Sequence, residues 1–277
     1  MVEGLPAWSE PFTGDLSNLR RISRLDTVDR AWAFHGSTGR GVTVAIIDSG
    51  LEVGHPALRG RVVESVAVEL RDGEPRVVAD DGADLYGHGT ACGGIVLGLA
   101  PDVELVSIRV LGADLRGKGA AFLAALDWAI ERGVQVANLS LSSKSETLFG
   151  AFHEVADEAA FKGRRPGLGG QQRACAQLPL AVQLGVQRGP RRAGPMALVP
   201  QPAPPVEFGA WGVDVPIAWK DGGSTVATGN SFAAPHITGL VALIAAKHPR
   251  LTPFELKAVL AATANLPDEE PAAPSSS

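Results

Sequence analysis

Cysteine is scarce in this chain: Cys92 and Cys175 are the two among 277 residues. That excludes a disulfide-stapled scaffold and suits a reducing compartment. Positive charge is not in excess either, since 25 Lys and Arg against 30 Asp and Glu give a formal net charge of −5. A polyanion as main partner is thereby excluded, because nothing neutralises phosphates except locally. Long apolar runs are missing as well. The longest, LVALIAA from Leu240, is far too short to span a bilayer, and the N-terminus has no apolar signal-peptide core. These features set the expectation of a cytoplasmic monomer with no nucleic-acid and no membrane partner.

One stretch lacks far more. From Gly163 to Pro205 there is no Asp, Glu, Asn, Ser, Thr, Lys, His, Ile or aromatic residue. A linker would carry Ser, Thr, Glu or Lys, and a packed element would carry Ile or Phe, so neither description fits. Its six arginines, Arg164, Arg165, Arg173, Arg188, Arg191 and Arg192, lack the interleaved aromatics that stack on bases in RNA-binding segments.

Around that stretch the chain has the composition of a packed protein, 45% apolar and 20% charged. Residues 1–40 are polar with turn signals and read as an N-terminal extension over the surface. GVTVAIID, ending at Asp48, is a continuous β-branched run of strand length, the pattern of a strand buried on both faces. Val103–Leu111 and Val134–Leu141 are two more candidate strands. Between them Phe122, Leu123, Leu126, Ala129 and Ile130 recur at helical spacing up to Gly133, and Leu148 to Ala159 repeat the pattern. This alternation predicts an α/β fold in one domain, residues 41–266, with an open, mostly parallel sheet and helices on both faces. Near the end, SFAAPHITGLVALIAAKH is apolar nearly all round and predicts a buried helix. Thr252, Pro253 and Glu255 form a complete capping box on a final helix, and 267–277 read as a disordered tail.

Three residues stand out chemically. Asp48 ends the first buried strand, at the edge of an open sheet where ligand sites gather. His88 lies between Gly87 and Gly89 ahead of an apolar run, and Ser231 precedes the buried helix. Taken singly, each has a structural reading: an Asx-turn, a structural histidine, a helix N-cap. Together they supply an acid, a base and a nucleophile. A neutral hydroxyl attacks an amide at useful rates only when a base takes its proton and a buried acid holds that base in one tautomer. Ser231 at a helix start also offers its backbone N–H to a developing oxyanion.

Three motifs in this order, VAIIDSGLEVGHP, GHGTACGGIVLG and GNSFAAPHITGLVALI, resemble the subtilisin family, the subtilases. APDVELVSIRVL and NLSLSS resemble the family's intervening strands, and the likeness runs from Trp32 to Ala264. It implies a subtilisin-like serine endopeptidase acting on a peptide or protein substrate through Asp48, His88 and Ser231. His55 and His236 are motif members with no proton-transfer role. Lys118 and Gly119 of LRGKGAAF, with Ser140, Leu141 and Ser142 of SLSS, would border a cleft in which an extended peptide adds as a strand. Ser142 stands where the family commonly has Gly, and Asn230 where it usually has Thr, Asn230 being a further oxyanion candidate. No cofactor is implied and no metal ligands are assigned, structural calcium following from the resemblance alone.

The gravest departure is in the oxyanion hole. The family presents two small residues and then an Asn whose amide stabilises the tetrahedral intermediate, whereas this chain has Gly169, Gly170 and Gln171. Gln171 and Gln172 are encoded CAR CAR, and read one base later the first becomes ARC, Asn or Ser. The same shift permits VVLVSAAN across 164–171, a buried strand ending in small, small, Asn. Residues 163–205 are therefore read as an out-of-frame segment, with a divergent insertion as the rival. Loss of the Asn costs about 10²–10³ in kcat, a figure borrowed from subtilisin itself. The alternatives are a catalytically inactive subtilase-like peptide-binding protein, or a Gly-rich α/β binding protein unrelated to proteolysis.

Overall fold

The computed structural model describes residues 28–139, 195–200 and 208–264. Its centre is β1, Thr43–Asp48, in which every residue from Val44 to Asp48 is buried. β-Branched side chains favour the extended backbone, and a strand apolar at every position needs cover on both faces. Parallel neighbours lie on either side. β4 (Glu104–Arg109) pairs Leu105 with Val44 and Arg109 with Asp48, and β5 (Val136–Leu139) pairs Val136 with Val44. Beyond β4 comes β2 (Val62–Arg71), also parallel, and then β3 (Glu74–Ala79), antiparallel at the edge. The order is β3-β2-β4-β1-β5.

Alternate residues of β1 feed two cores. Val44 and Ile46 point to one side, where α2 (His88–Leu99), α4 (Asn230–Lys247) and α5 (Pro253–Thr263) add Val96, Leu240, Ile244 and Leu260. Ala45 and Ile47 point to the other, against Ala125, Leu126 and Ala129 of α3 (Gly119–Glu131). Each fully buried large aliphatic contributes about 1.5–3 kcal/mol, so this sandwich fixes β1 in place. α4 is buried nearly all round, as its apolar sequence requires, and α5 starts with the capping box of Thr252 and Glu255.

Two small two-stranded sheets complete the frame. β6 (Leu198–Pro200) pairs with β7 (Phe208–Ala210), and β8 (Val215–Trp219) with β9 (Gly223–Ala227), both antiparallel. The β8–β9 hairpin leads straight into α4. One expectation needs correcting: residues 28–40 are not all surface extension. Asp29 caps a short helix, α1 (Arg30–Phe34), whose Ala33 and Phe34 are buried in the α4 core. Two apolar positions sufficed, too few for the polar stretch to signal them. The helix read at 148–159, the segment 163–205 up to Gly194, and the tail 267–277 lie outside the described residues.

Candidate active site

β1 ends at the rim of the sheet, and its last residue, Asp48, is fully buried. A buried carboxylate needs donors for its oxygens. Asp48 Oδ1 accepts the Ser49 amide at 2.7 Å, and both oxygens face His88 Nδ1, at 2.9 and 2.8 Å. In the neutral ring this geometry favours the proton on Nδ1, toward Asp48, which leaves Nε2 as the basic atom. The Asp48 backbone carbonyl accepts from Val110 and Leu111, so the loop leading to Lys118 is tied to the acid.

His88 opens α2, with 7% of its surface exposed. Gly87, at φ 111°, makes the sharp entry in a region that L side chains avoid. Ahead of it, Asp84 accepts from the amides of Tyr86 and Gly87, and the backbone of Leu85 donates to Ser49. Burial alone favours the neutral imidazole, but the Cys92 sulfur and the Asp48 carboxylate outweigh it and hold its pKa well above the ordinary histidine value.

Ser231 is the second residue of α4, whose N-cap is Gly229, with no side chain in the capping role. The N-cap reading of Ser231 therefore fails, and its hydroxyl makes no hydrogen bond among the described residues. Free enzymes commonly hold such contacts loose until substrate arrives. What links Ser231 to Asp48 and His88 is Cys92. One helical turn beyond His88, its sulfur lies 3.8 Å from His88 Nδ1 and 3.9 Å from Asp48 Oδ2, and its thiol donates to the Ser231 carbonyl at 3.6 Å. The reason for that last contact is in the sequence of α4. The Ser231 carbonyl would ordinarily accept from the residue four ahead, which is Pro235 and has no N–H. The Phe232 ring, 5.2 Å from the imidazole, covers the same spot.

The remaining sequence-derived candidates fall into three groups. Lys118 is exposed at the N-cap position of α3, with Gly119 next to it, and Asn230 is exposed at the first position of α4. His55 and His236 are spent on backbone: His55 Nε2 donates to Gly223 at 3.0 Å while Nδ1 accepts from Ala57, and His236 Nδ1 donates to Phe232. Ser140, Leu141, Ser142 and Gln171 lie outside the described residues. Sequence reasoning missed Cys92, although its i+4 spacing from His88 places both on one helix face. It also missed Asp84, one of several acids in DDGAD. Among the described residues, the one set of three side chains close enough to share an ion is Asp48, His88 and Cys92. Calcium takes oxygen ligands, so this set does not fit it.

The Subtilase family model matches residues 39–178 and 219–276. Among curated proteins, the chain is similar to subtilisin-like protease 4 of Trichophyton tonsurans, 26% identical over 259 residues, covering 86% of this chain and 58% of that protein. A subtilisin-like protease of Coccidioides posadasii is 33% identical over 156 residues, 52% of this chain and 38% of its own length. The chain thus spans less than two thirds of these relatives. Among solved structures, that of a cold adapted subtilisin-like serine proteinase superposes with a TM-score of 0.58 at 26% identity, covering 80% of this chain and 82% of that one.

Proposed function

The chain belongs to the subtilase family, and from that premise we propose that it is a serine endopeptidase in which Asp48, His88 and Ser231 form the catalytic triad. The observation that carries the proposal is the buried Asp48–His88 pair, at 2.8 Å, which leaves Nε2 as the basic atom. Ser231 Oγ attacks the scissile carbonyl as His88 Nε2 takes its proton. Asp48 stabilises the imidazolium that forms, and His88 then delivers the proton to the leaving amine. Water hydrolyses the acyl-enzyme by the same steps, His88 again acting as base. The Ser231 backbone N–H, in the first turn of α4 with the helix dipole behind it, is one oxyanion donor. On the family resemblance, Lys118 and Gly119 with Ser140, Leu141 and Ser142 would border the cleft for an extended peptide.

A fluorophosphonate probe tests this directly. Labelling at Ser231 that vanishes in His88→Ala is the expected result; a folded protein that the probe never labels would overturn it. One observation favours a second reading, an inactive peptide-binding protein: Gln171 stands where the family has its oxyanion Asn. Peptide binding by an unlabelled, folded chain supports that reading. The nucleotide sequence across codons 163–205 tests the out-of-frame origin of Gln171, and an uninterrupted frame with no Asn-bearing alternative sinks it. Cytoplasmic residence, on the sparse cysteines, and a monomeric state complete the proposal; fractionation and size-exclusion chromatography test them.

A further inference from the structure

α2 begins with the base, yet its N-cap is Gly87, which has no side chain to satisfy the first-turn amides. Two groups from outside the helix do that work. Asp84 Oδ2 accepts the Thr90 amide at 2.8 Å and the Thr90 hydroxyl at 2.7 Å. Ser49 Oγ accepts the Gly89 amide at 3.2 Å and itself donates to Asp84 Oδ1 at 2.7 Å. Asp84 Oδ1 also takes the amides of Gly87 at 2.7 Å and Tyr86 at 3.0 Å. One carboxylate therefore gathers five donors from the turn before His88, the first turn of its helix, and the residue that follows the acid. The Thr90 hydroxyl closes the circuit by accepting the Glu52 amide at 3.0 Å.

The Asp48–His88 contact is only as well aimed as the two backbones that carry it. Residue 48 ends β1, residue 49 opens the loop after it and residues 88–90 lie on α2, elements held together at this point by Ser49 and Asp84. We propose that Asp84 is a positioning residue for the acid–base pair: through Ser49 and the first turn of α2 it sets the distance and angle between Asp48 and His88 Nδ1. This inference rests on the reading of His88 as the general base. Asp84 itself touches no substrate; it replaces the missing N-cap side chain and doubles as a brace across the site.

Asp84→Asn is the test, because it keeps the size while turning one oxygen into an NH₂ group that faces other donors. Ser49→Ala is the second variant, removing the bridge while leaving the other four donors of Asp84 in place. Both are compared with the parent chain by thermal unfolding, by kcat and KM on a peptide substrate, and by the downfield NMR resonance of the His88 Nδ1 proton. A misplacement of about 1 Å costs about 10²-fold in rate, so kcat falls on that scale in Asp84→Asn, with KM little changed and the Nδ1 resonance shifted or broadened. Ser49→Ala gives the same changes in smaller measure. Folded variants that keep both kcat and the Nδ1 resonance of the parent overturn the proposal. A parent chain that no fluorophosphonate labels refutes the protease reading instead. The resonance then decides the positioning role alone: shifted in the variants upholds it, unmoved overturns it.

Discussion

Gly89 is the second residue of α2, and a methyl group added there tests how tightly the base is seated against the acid. An ideal Cβ at position 89 would lie 2.0 Å from the Gly50 carbonyl oxygen and 3.3 Å from Asp48 Cβ. Real Cβ atoms essentially never come within 3.0 Å of such an atom, so α2 and the loop after β1 must part by roughly 1 Å. The blocking atom is backbone and cannot swing aside. Nor can the loop retreat freely, since Leu85 donates to the Ser49 carbonyl and a Cβ on Gly50 would itself meet Ala83 O at 2.2 Å. Replacing Gly by Ala in a helix gains about 0.5–1 kcal/mol. Overpacking costs about 1–3 kcal/mol, so the clash wins.

Gly89→Ala is therefore expected to lower the thermal midpoint by roughly 2–8 °C. A shift of about 1 Å between Asp48 and His88 should also slow fluorophosphonate labelling and kcat about 10²-fold. Gly98→Ala is the control on the same helix. That position is exposed, with nothing within 4 Å of the added Cβ, and the substitution should raise the midpoint and leave labelling unchanged. Calorimetry and probe kinetics on the two variants decide the matter. If Gly89→Ala keeps the parental midpoint and labelling rate, the close approach of α2 to the acid loop does not seat the base, and the reasoning fails.

Four further expectations follow from the same structure. The His88 pKa is raised despite burial, by Cys92 and Asp48, and the base works only when neutral, so kcat/KM should climb with pH through a midpoint above the ordinary value of about 6.5. The charged pair's contribution to stability is fully present below about pH 6.5 and is lost as pH rises through the folded-state pKa; a pH series of unfolding free energies for the parent and His88→Gln checks the sign. Cys92→Ala should cost about 1–3 kcal/mol in chemical denaturation, because the Ser231 carbonyl loses its thiol donor opposite Pro235, while Cys92→Ser keeps a donor and costs less. The half-buried Glu52 carboxylate holds the β8–β9 turn through the amides of Asp221 at 2.7 Å and Gly222 at 3.2 Å. Glu52→Ala should speed hydrogen exchange at those two amides and cost about 1 kcal/mol or less of stability.

The parts of the fold legible in the sequence are those whose burial is written in a run or a period. β1 is buried at five consecutive positions and α4 nearly all round, and both announce themselves by unbroken apolar stretches. α5 announces itself by a capping box that the structure reproduces. The β2–β3 hairpin does not, because its strands carry Glu64, Glu69, Arg71 and Arg76 and form one end of the sheet, with β3 as its edge. β8 and β9 are five residues each, β8 burying only Val215 and Ile217 and β9 being largely exposed, so Asp221–Gly222 is a turn signal without long strands to flank it. At the site, Asp48 was legible because it closes an unbroken apolar strand ahead of Ser49 and Gly50, and His88 because Gly87 and Gly89 flank it ahead of an apolar run. Asp84 was not, because its five partners include residues from Ser49 to Thr90 and no local pattern separates it from Asp80 and Asp81.

The site divides into two halves with different origins. The described side chains that contact Asp48, His88 and Ser231 come from α2 and α4, the amides of Ser49, Val110 and Leu111 add backbone support to Asp48, and the family model resumes at 219 after leaving 179–218 unmatched. The acid–base half thus depends on close packing between β1, α2 and α4, whereas the family's oxyanion Asn would have to come from the stretch in which Gln171 stands. These halves act multiplicatively on rate, since one activates the hydroxyl and the other stabilises the charge that its attack creates. The ratio of fluorophosphonate labelling rates between the parent and His88→Ala therefore reads the first half alone, whatever the absolute rate has lost to the second. A large ratio on a slow background is the signature of an intact base beside an impaired oxyanion hole. A ratio of about one, with both proteins folded, would mean that the buried Asp48–His88 pair does not activate Ser231 at all.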